Sequence, residues 1–174
     1  MALSGRPHGK LAKRAGLLVD NGVVVDEFLR ASHPDVFAVG DVANAEHRTL
    51  GRRLRVEHWA TALHHGEAVA AAVIGAPEPY DRLPYFFSDQ YDIGLEYLGF
   101  VPRGLPQKVV LRGDPDSGEF VAFWTRDGLV AAGLAVNSWG LMADLEALIR
   151  ARAPVSAAAL SDPGMPLTAL VPGS

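Results

Sequence analysis

Hydrophobic and polar positions follow two rhythms along this 174-residue chain. From 17 to 25 the sequence reads LLVDNGVVV, two β-rich runs joined at Asn21-Gly22. That pair suits a type I′ turn, whose two central residues need positive φ, so the pattern predicts a hairpin. Val36, Phe37, Ala38 and Val39 then form an apolar tetrad without alternation, as in a strand covered on both faces of a parallel sheet. After an arginine-rich connection the rhythm turns helical. In VEHWATALHHGEAVAAAVIG, Trp59, Leu63, Ala70, Val73 and Ile74 recur near helical spacing, Glu57 lies in the first turn, and Gly75, Pro77 and Pro79 end the pattern. A helix of about five turns is predicted.

GAPEPYDRLP, residues 75 to 84, carries three prolines and two acids and reads as a linker. Beyond it IGLEYLGF, KVVLRGD, EFVAFWTR and LVAAGLAVN are separated by turn clusters such as DPDSGE and DG, which predicts antiparallel strands in meander order. WGLMADLEALIRAR puts Leu141, Leu145, Leu148 and Ile149 on one helical face, and the tail is rich in Pro, Ser and Ala. No internal repeat occurs. The expected organisation is an α/β segment over 1–76, a linker over 77–84, and an α+β domain with an antiparallel sheet over 85–174.

Composition narrows the class. The chain is 49% apolar and 21% charged, as in a soluble globular protein, and a chain of this size can bury roughly 70% of its unfolded surface. Twenty acids against 16 Lys and Arg give a net charge of −4, so the whole chain offers no attraction for nucleic acid or anionic lipid. There is no cysteine, which removes disulfides, thiolate metal sites and dithiol chemistry; any redox role needs a bound cofactor. MALSGRPHGKLAKRAG lacks the apolar core of a secretory signal, and the longest apolar run, AVAAAVI, is too short to span a bilayer. A cytoplasmic location is expected.

The candidate chemistry starts at Gly40 and Asp41, at the mouth of the predicted strand. Ligands bind at the carboxyl ends of such strands; the glycine allows close backbone approach, and the carboxylate can accept two hydrogen bonds from vicinal hydroxyls. The alternative is that Asp41 only caps the next segment. His58 and Trp59 open the predicted helix, as ligand contacts or as an aromatic packing anchor. Arg48, Arg52, Arg53 and Arg55 put four of the sixteen basic residues within eight positions, as a solvated connection or a docking patch. The six histidines include no HExxH, and adjacent His64 and His65 cannot share a helix face, so no metal site is assigned and HHGEA reads as a solvated face. There is no GxSxG either, and no catalytic side chain is assigned.

In order along the chain, AGLLVDNGVVVDEFLRASHPDVFAVGDVA, LGRRLRVEHWATAL and YFFSDQYDIGLEYLGF resemble the C-terminal half of FAD-dependent NAD(P)H reductases of the ferredoxin reductase type. That group, in the pyridine nucleotide-disulfide oxidoreductase superfamily, includes rubredoxin and putidaredoxin reductases and apoptosis-inducing factor. VVLRG, AFWTRDGLVAAGLAVN and LIRARAPV resemble the central strands, helix and tail of its C-terminal interface domain. The resemblance implies that 1–76 ends a Rossmann-like FAD domain in which Asp41, after Gly40, hydrogen-bonds the flavin ribityl chain. It also implies that the helix opened by EHWATA points its start at the flavin ring, with His58 and Trp59 close by; unpaired N–H groups there stabilise the negative charge of reduced flavin. Phe87 matches a flavin-side position that is commonly tryptophan, keeping the aromatic face and losing the indole donor. Arg52, Arg53 and above all Arg55 are the implied docking residues for an acidic, ferredoxin-like carrier.

The two GxGxxG fingerprints of that family, one for FAD and one for NAD(P), are absent from this sequence. The expectation is therefore a truncated part of an enzyme that takes hydride from NAD(P)H onto FAD and passes single electrons to a ferredoxin-like protein. By itself the chain is expected to be inactive. The alternative expectation is a non-enzymatic interaction module, a possible homodimer, in which the flavin residues are vestigial.

Overall fold

A computed structural model describes residues 7–102, 104–105 and 107–172; the first six residues of the N-terminal segment lie outside it. The chain divides into two units, Met1–Pro84 and Tyr85–Ser174.

The first unit runs α1 (Lys10–Arg14), β1 (Val23–Val25), β2 (Ala43–His47), β3 (Arg52–Leu54) and α2 (Trp59–Val73). Its sheet has the order β1-β2-β3, with β2 parallel to β1 and antiparallel to β3. Asn21 and Gly22 take positive φ, 46° and 124°, as the predicted turn requires. A Cβ on Gly22 would lie 2.5 Å from the Val42 carbonyl oxygen, so close approach also demands glycine there. The hairpin itself is short. Val19 and Val23 form a single bridge, and β1 then pairs along its length with β2, Val23 opposite Ala43 through Val25 opposite Ala45.

The predicted strand over Val36–Val39 is not formed. Phe37 makes one bridge to Arg30, Val39 is exposed, and Gly40–Val42 is a single 3₁₀ turn; the parallel strand is the more polar ANAEH that follows. Polar residues can sit in that central strand because each has a partner. Asn44 Nδ2 donates to the Asp20 carbonyl at 2.6 Å, and His47 Nε2 lies 3.0 Å from the Arg82 carbonyl oxygen. The tetrad contributes only Ala38 to the core, beside Val23, Val25, Leu29, Ala43 and Ala45. Leu29 is fully buried at φ 64°, in a turn where Asp26 Oδ1 accepts from the Phe28 and Arg30 amides, both at 2.9 Å.

α2 ends as expected. The Gly75 amide donates to Ala72 O and the Ala76 amide to Ala71 O, a Schellman closure with Gly75 at φ 88°. Two expectations fail. Glu57 precedes the helix, whose N-cap is His58, and the inward face carries Ala60, Thr61 and His65 instead of the apolar stripe. Trp59 is 70% exposed and Ile74 81%, with Leu63 and Val73 also exposed. The segment after the helix is tied into this unit: Tyr80 N donates to Glu27 O at 2.7 Å, Thr49 N donates to Asp81 Oδ1 at 2.9 Å, and His47 Nδ1 lies 2.9 Å from the same oxygen.

The second unit contains β4 (Tyr85–Gln90), β5 (Ile93–Gly99), β6 (Lys108–Asp114), β7 (Glu119–Arg126), β8 (Leu129–Val136), α3 (Met142–Ala151) and α4 (Ala157–Ser161). All sheet pairings are antiparallel, in the order β4-β5-β8-β7-β6. The predicted meander thus holds for β6-β7-β8, but β5 pairs with β8, and YFFSDQ adds an edge strand. Gly99 permits that pairing: at φ 109° its missing Cβ would lie 2.7 Å from Ala132 Cα. Leu145, Leu148 and Ile149 of α3 are buried, and Leu145 occupies the space above Gly133, where a Cβ would meet its Cδ2 at 2.6 Å. Arg112 reaches from β6 over the Phe123 ring and donates to Leu160 O at 2.7 Å and Ala159 O at 3.2 Å, which fastens the tail. Among the described residues no helix is long and apolar enough to cross a membrane.

Candidate functional site

The Gly40–Val42 turn rests on α2. Gly40 has φ 65°, is buried, and would bring a Cβ within 3.3 Å of the Ala62 methyl, so a side chain there meets both strain and crowding. The next residue, Asp41, is exposed. Its carbonyl oxygen accepts from Arg55 Nη1 at 3.1 Å. Arg55 also donates to Glu57 Oε1 at 2.5 Å and, through Nε, to Asn21 Oδ1 at 3.3 Å. One guanidinium therefore joins the hairpin tip, the Asp41 turn and the approach to α2.

His65 supports the same turn from below. Its Nδ1 accepts the Gly40 amide at 3.2 Å, and its ring meets Tyr80 edge to face, with centroids 4.3 Å apart and planes at 88°. Burial first, and the neighbouring His64 second, lower its pKa to about 4, so the ring is neutral at physiological pH. Burial also pushes the Tyr80 phenol up to about 12, against a weaker opposing hydrogen bond with Thr61. The solvated face expected for HHGEA is thus wrong for His65. The available signal was the period of Thr61, His65, Ala68 and Val69, which runs opposite the stronger apolar stripe.

His58 and Trp59 stand at the start of α2. His58 is extended at φ −117° and ψ 140° and makes no side-chain capping bond, while Trp59 follows with its indole exposed. Gly40, Asp41, His58 and Trp59 all belong to the first unit, and Ala62 brings the Gly40 turn against the first turn of the helix. Phe87 lies on β4 of the second unit, half-exposed, 6.4 Å between ring centroids from Tyr85.

The three docking arginines separate in role. The Arg55 side chain is only 10% exposed, and its Nε and Nη1 donors are engaged within the unit. Arg53 laces the sheet by donating to Val25 O at 2.6 Å, Asn44 O at 3.0 Å and Glu46 Oε2 at 3.4 Å. Arg52 and Arg53, on β3, are both exposed, as is Arg48. Among the described residues no group of three or more His, Asp or Glu could hold a metal ion.

Residues 85–171, half of the chain, match the family described as Reductase C-terminal. The chain belongs to this family. Residues 4–66 of the same reductase-family chain match the pyridine nucleotide-disulphide oxidoreductase family. Over 90% of its length it is 40% identical to the ferredoxin–NAD(+) reductase component of the anthranilate 1,2-dioxygenase system of Burkholderia cepacia, and spans 37% of that protein. It is 33% identical to putidaredoxin reductase CamA of Pseudomonas putida over 95% of its own length and 39% of the relative's. Among solved structures, a ferredoxin reductase from Rhodopseudomonas palustris superposes with a TM-score of 0.85 at 30% identity, over 95% of this chain and 41% of that one. The covalent putidaredoxin reductase–putidaredoxin complex gives a TM-score of 0.82 at 32% identity, over 95% and 39%. The chain thus spans about two fifths of the length of these relatives.

Proposed function

We propose that this chain is the C-terminal part of an FAD-dependent NAD(P)H reductase that passes single electrons to a ferredoxin-like carrier. In this proposal residues 1–76 complete the FAD-binding domain, 77–84 link it onward, and 85–174 form the interface domain. The observation that carries it is the Gly40–Asp41 turn packed on the start of α2. An exposed carboxylate after a glycine that no other residue replaces suits the vicinal hydroxyls of a ribityl chain. The N-terminus of a 15-residue helix suits an anionic ring, and His58 and Trp59 supply aromatic surface beside it. Phe87 is proposed as a flavin contact on the resemblance alone. These residues fit the flavin half of FAD; with no GxGxxG in the sequence, they leave the pyrophosphate and adenine to other chain.

When bound, FAD supplies the conversion of a two-electron hydride into single-electron transfers. The residues of this chain orient it and balance its charge. Arg55 and His65 hold the turn, Asp41 binds, and the α2 start offsets negative charge. Arg52, Arg53 and Arg55, with Arg48 beside them, are the proposed docking cations for an acidic carrier, Arg55 being the one most tied into the fold.

The test is FAD affinity in the complete reductase, with the upstream dinucleotide-binding region present. Asp41→Asn is expected to weaken FAD binding about tenfold, the worth of one charge-assisted hydrogen bond. Unchanged affinity would remove Asp41 from the site. The 174-residue chain alone is expected to retain no FAD on gel filtration.

A second reading, a dimerising or interaction module without electron transfer, draws on the exposed stripe of Trp59, Leu63, Val73 and Ile74. Light scattering separates the two: a concentrated monomer counts against the module.

A further inference from the structure

We propose that His65 is a positioning residue, whose neutral imidazole accepts the Gly40 amide proton and thereby holds the turn that presents Asp41. A left-handed turn has few ways to satisfy its buried N–H, and here the partner is a ring on a neighbouring helix. The bond has a direction. Nδ1 can accept only when it carries no proton, which places the single ring proton on Nε2; a second proton would set N–H against N–H.

The support is rigid for a stated reason. His65 and Ala62 lie three residues apart on one face of α2, so the helix holds Gly40 at two points, the methyl against its Cα side and the ring against its amide. Tyr80 closes the ring from the other side. The titratable and charged groups around His65 are Tyr80 and Arg82 from the segment after α2, Glu46 and His47 from β2, His64 on its own helix, and Asp41 next to Gly40. Burial within that surround, with the His64 charge, keeps the ring neutral down to about pH 4.

The consequence for cofactor binding rests on the proposed role of Asp41; the holding of the turn does not. Two variants separate the acceptor from the volume. His65→Asn keeps an acceptor at the reach of Nδ1, and His65→Leu keeps bulk without one. In the 174-residue chain, amide exchange of Gly40 followed by NMR is expected to accelerate at least about tenfold in His65→Leu and to stay within about threefold of the parent in His65→Asn. In the complete reductase, FAD affinity is expected to follow the same order. Acidifying the parent through pH 4 is expected to expose the Gly40 amide, with no such step in His65→Asn, and this comparison decides the matter if His65→Leu does not fold.

Gly40 exchange unchanged in a folded His65→Leu, or accelerated equally in both variants, overturns the proposal. An acid step of equal size in His65→Asn does so too. If Asp41→Asn binds FAD as tightly as the parent, the cofactor reading fails, and the Gly40 exchange rates still judge His65 independently.

Discussion

Arg55 and His65 hold one short turn by opposite means, a charged fork that donates to a carbonyl and a neutral ring that accepts from an amide. Removing the fork leaves the Asp41 carbonyl, Asn21 and the Glu57 carboxylate without it. Arg55→Ala is expected to cost about 1–3 kcal/mol in urea denaturation, and Arg55→Lys to recover only part, because one ammonium does not span three acceptors. For His65 the sign follows from its depressed pKa. The unfolded chain takes up the proton near pH 6.5 and the folded one only near 4, so the stabilisation is complete above about pH 6.5 and is lost progressively as the pH falls to about 4. The loss is on the order of 3 kcal/mol by linkage, and His65→Gln is expected to flatten that limb of the pH–stability profile. At this scale the glycine before Asp41 was legible as a place of close approach, whereas the strand mouth read there is a 3₁₀ turn. His65 was less legible. The only local sign of its burial, its period with Thr61, Ala68 and Val69, is weaker than the apolar stripe on the opposite face, and the packing of Tyr80 and Gly40 decides between them.

The elements show where local pattern is reliable and where it is overruled. The extent of α2 follows from its glycine stop, but its orientation does not follow from its apolar stripe. Small residues face inward because the Gly40 turn comes so close to Ala62, and the bulky ones are left outside. The strand over Val36–Val39 was misplaced for a related reason: ANAEH forms the parallel pairing because Asn44 and His47 find partners far away in the chain. In the second unit the strands β5 to β8 were legible from alternation and turn residues. The pairing of β5 with β8 was not, since it depends on Gly99 meeting Ala132 and is a long-range choice. The α3 contact with β8 gives a direct test. Leu145→Ala is expected to lose about 3 kcal/mol in chemical denaturation, and Gly133→Ala about 1–3 kcal/mol through overpacking against the same leucine.

For the whole molecule, the net charge of −4 conceals a local basic surface. Of the arginines in the 48–55 stretch, Arg48, Arg52 and Arg53 are exposed while the Arg55 side chain is largely buried, so the first three are the better placed for the proposed steering of an acidic carrier. In the complete reductase Arg52→Glu is expected to slow association with such a carrier several-fold at low ionic strength, and to converge on the parent rate at high salt. A rate that is unchanged at low salt would exclude Arg52 from docking. Arg53→Glu is expected to act differently, lowering stability by opposing the carbonyls of Val25 and Asn44 and the Glu46 carboxylate. Whether the Gly40 turn and the start of α2 face the flavin is read by hydrogen exchange with mass spectrometry on the complete reductase, with and without FAD. FAD loading is expected to slow exchange in peptides covering 39–43 and 57–62 and to leave 108–126 unchanged. Protection confined to 108–126, with 39–43 exchanging as in the FAD-free protein, would contradict it.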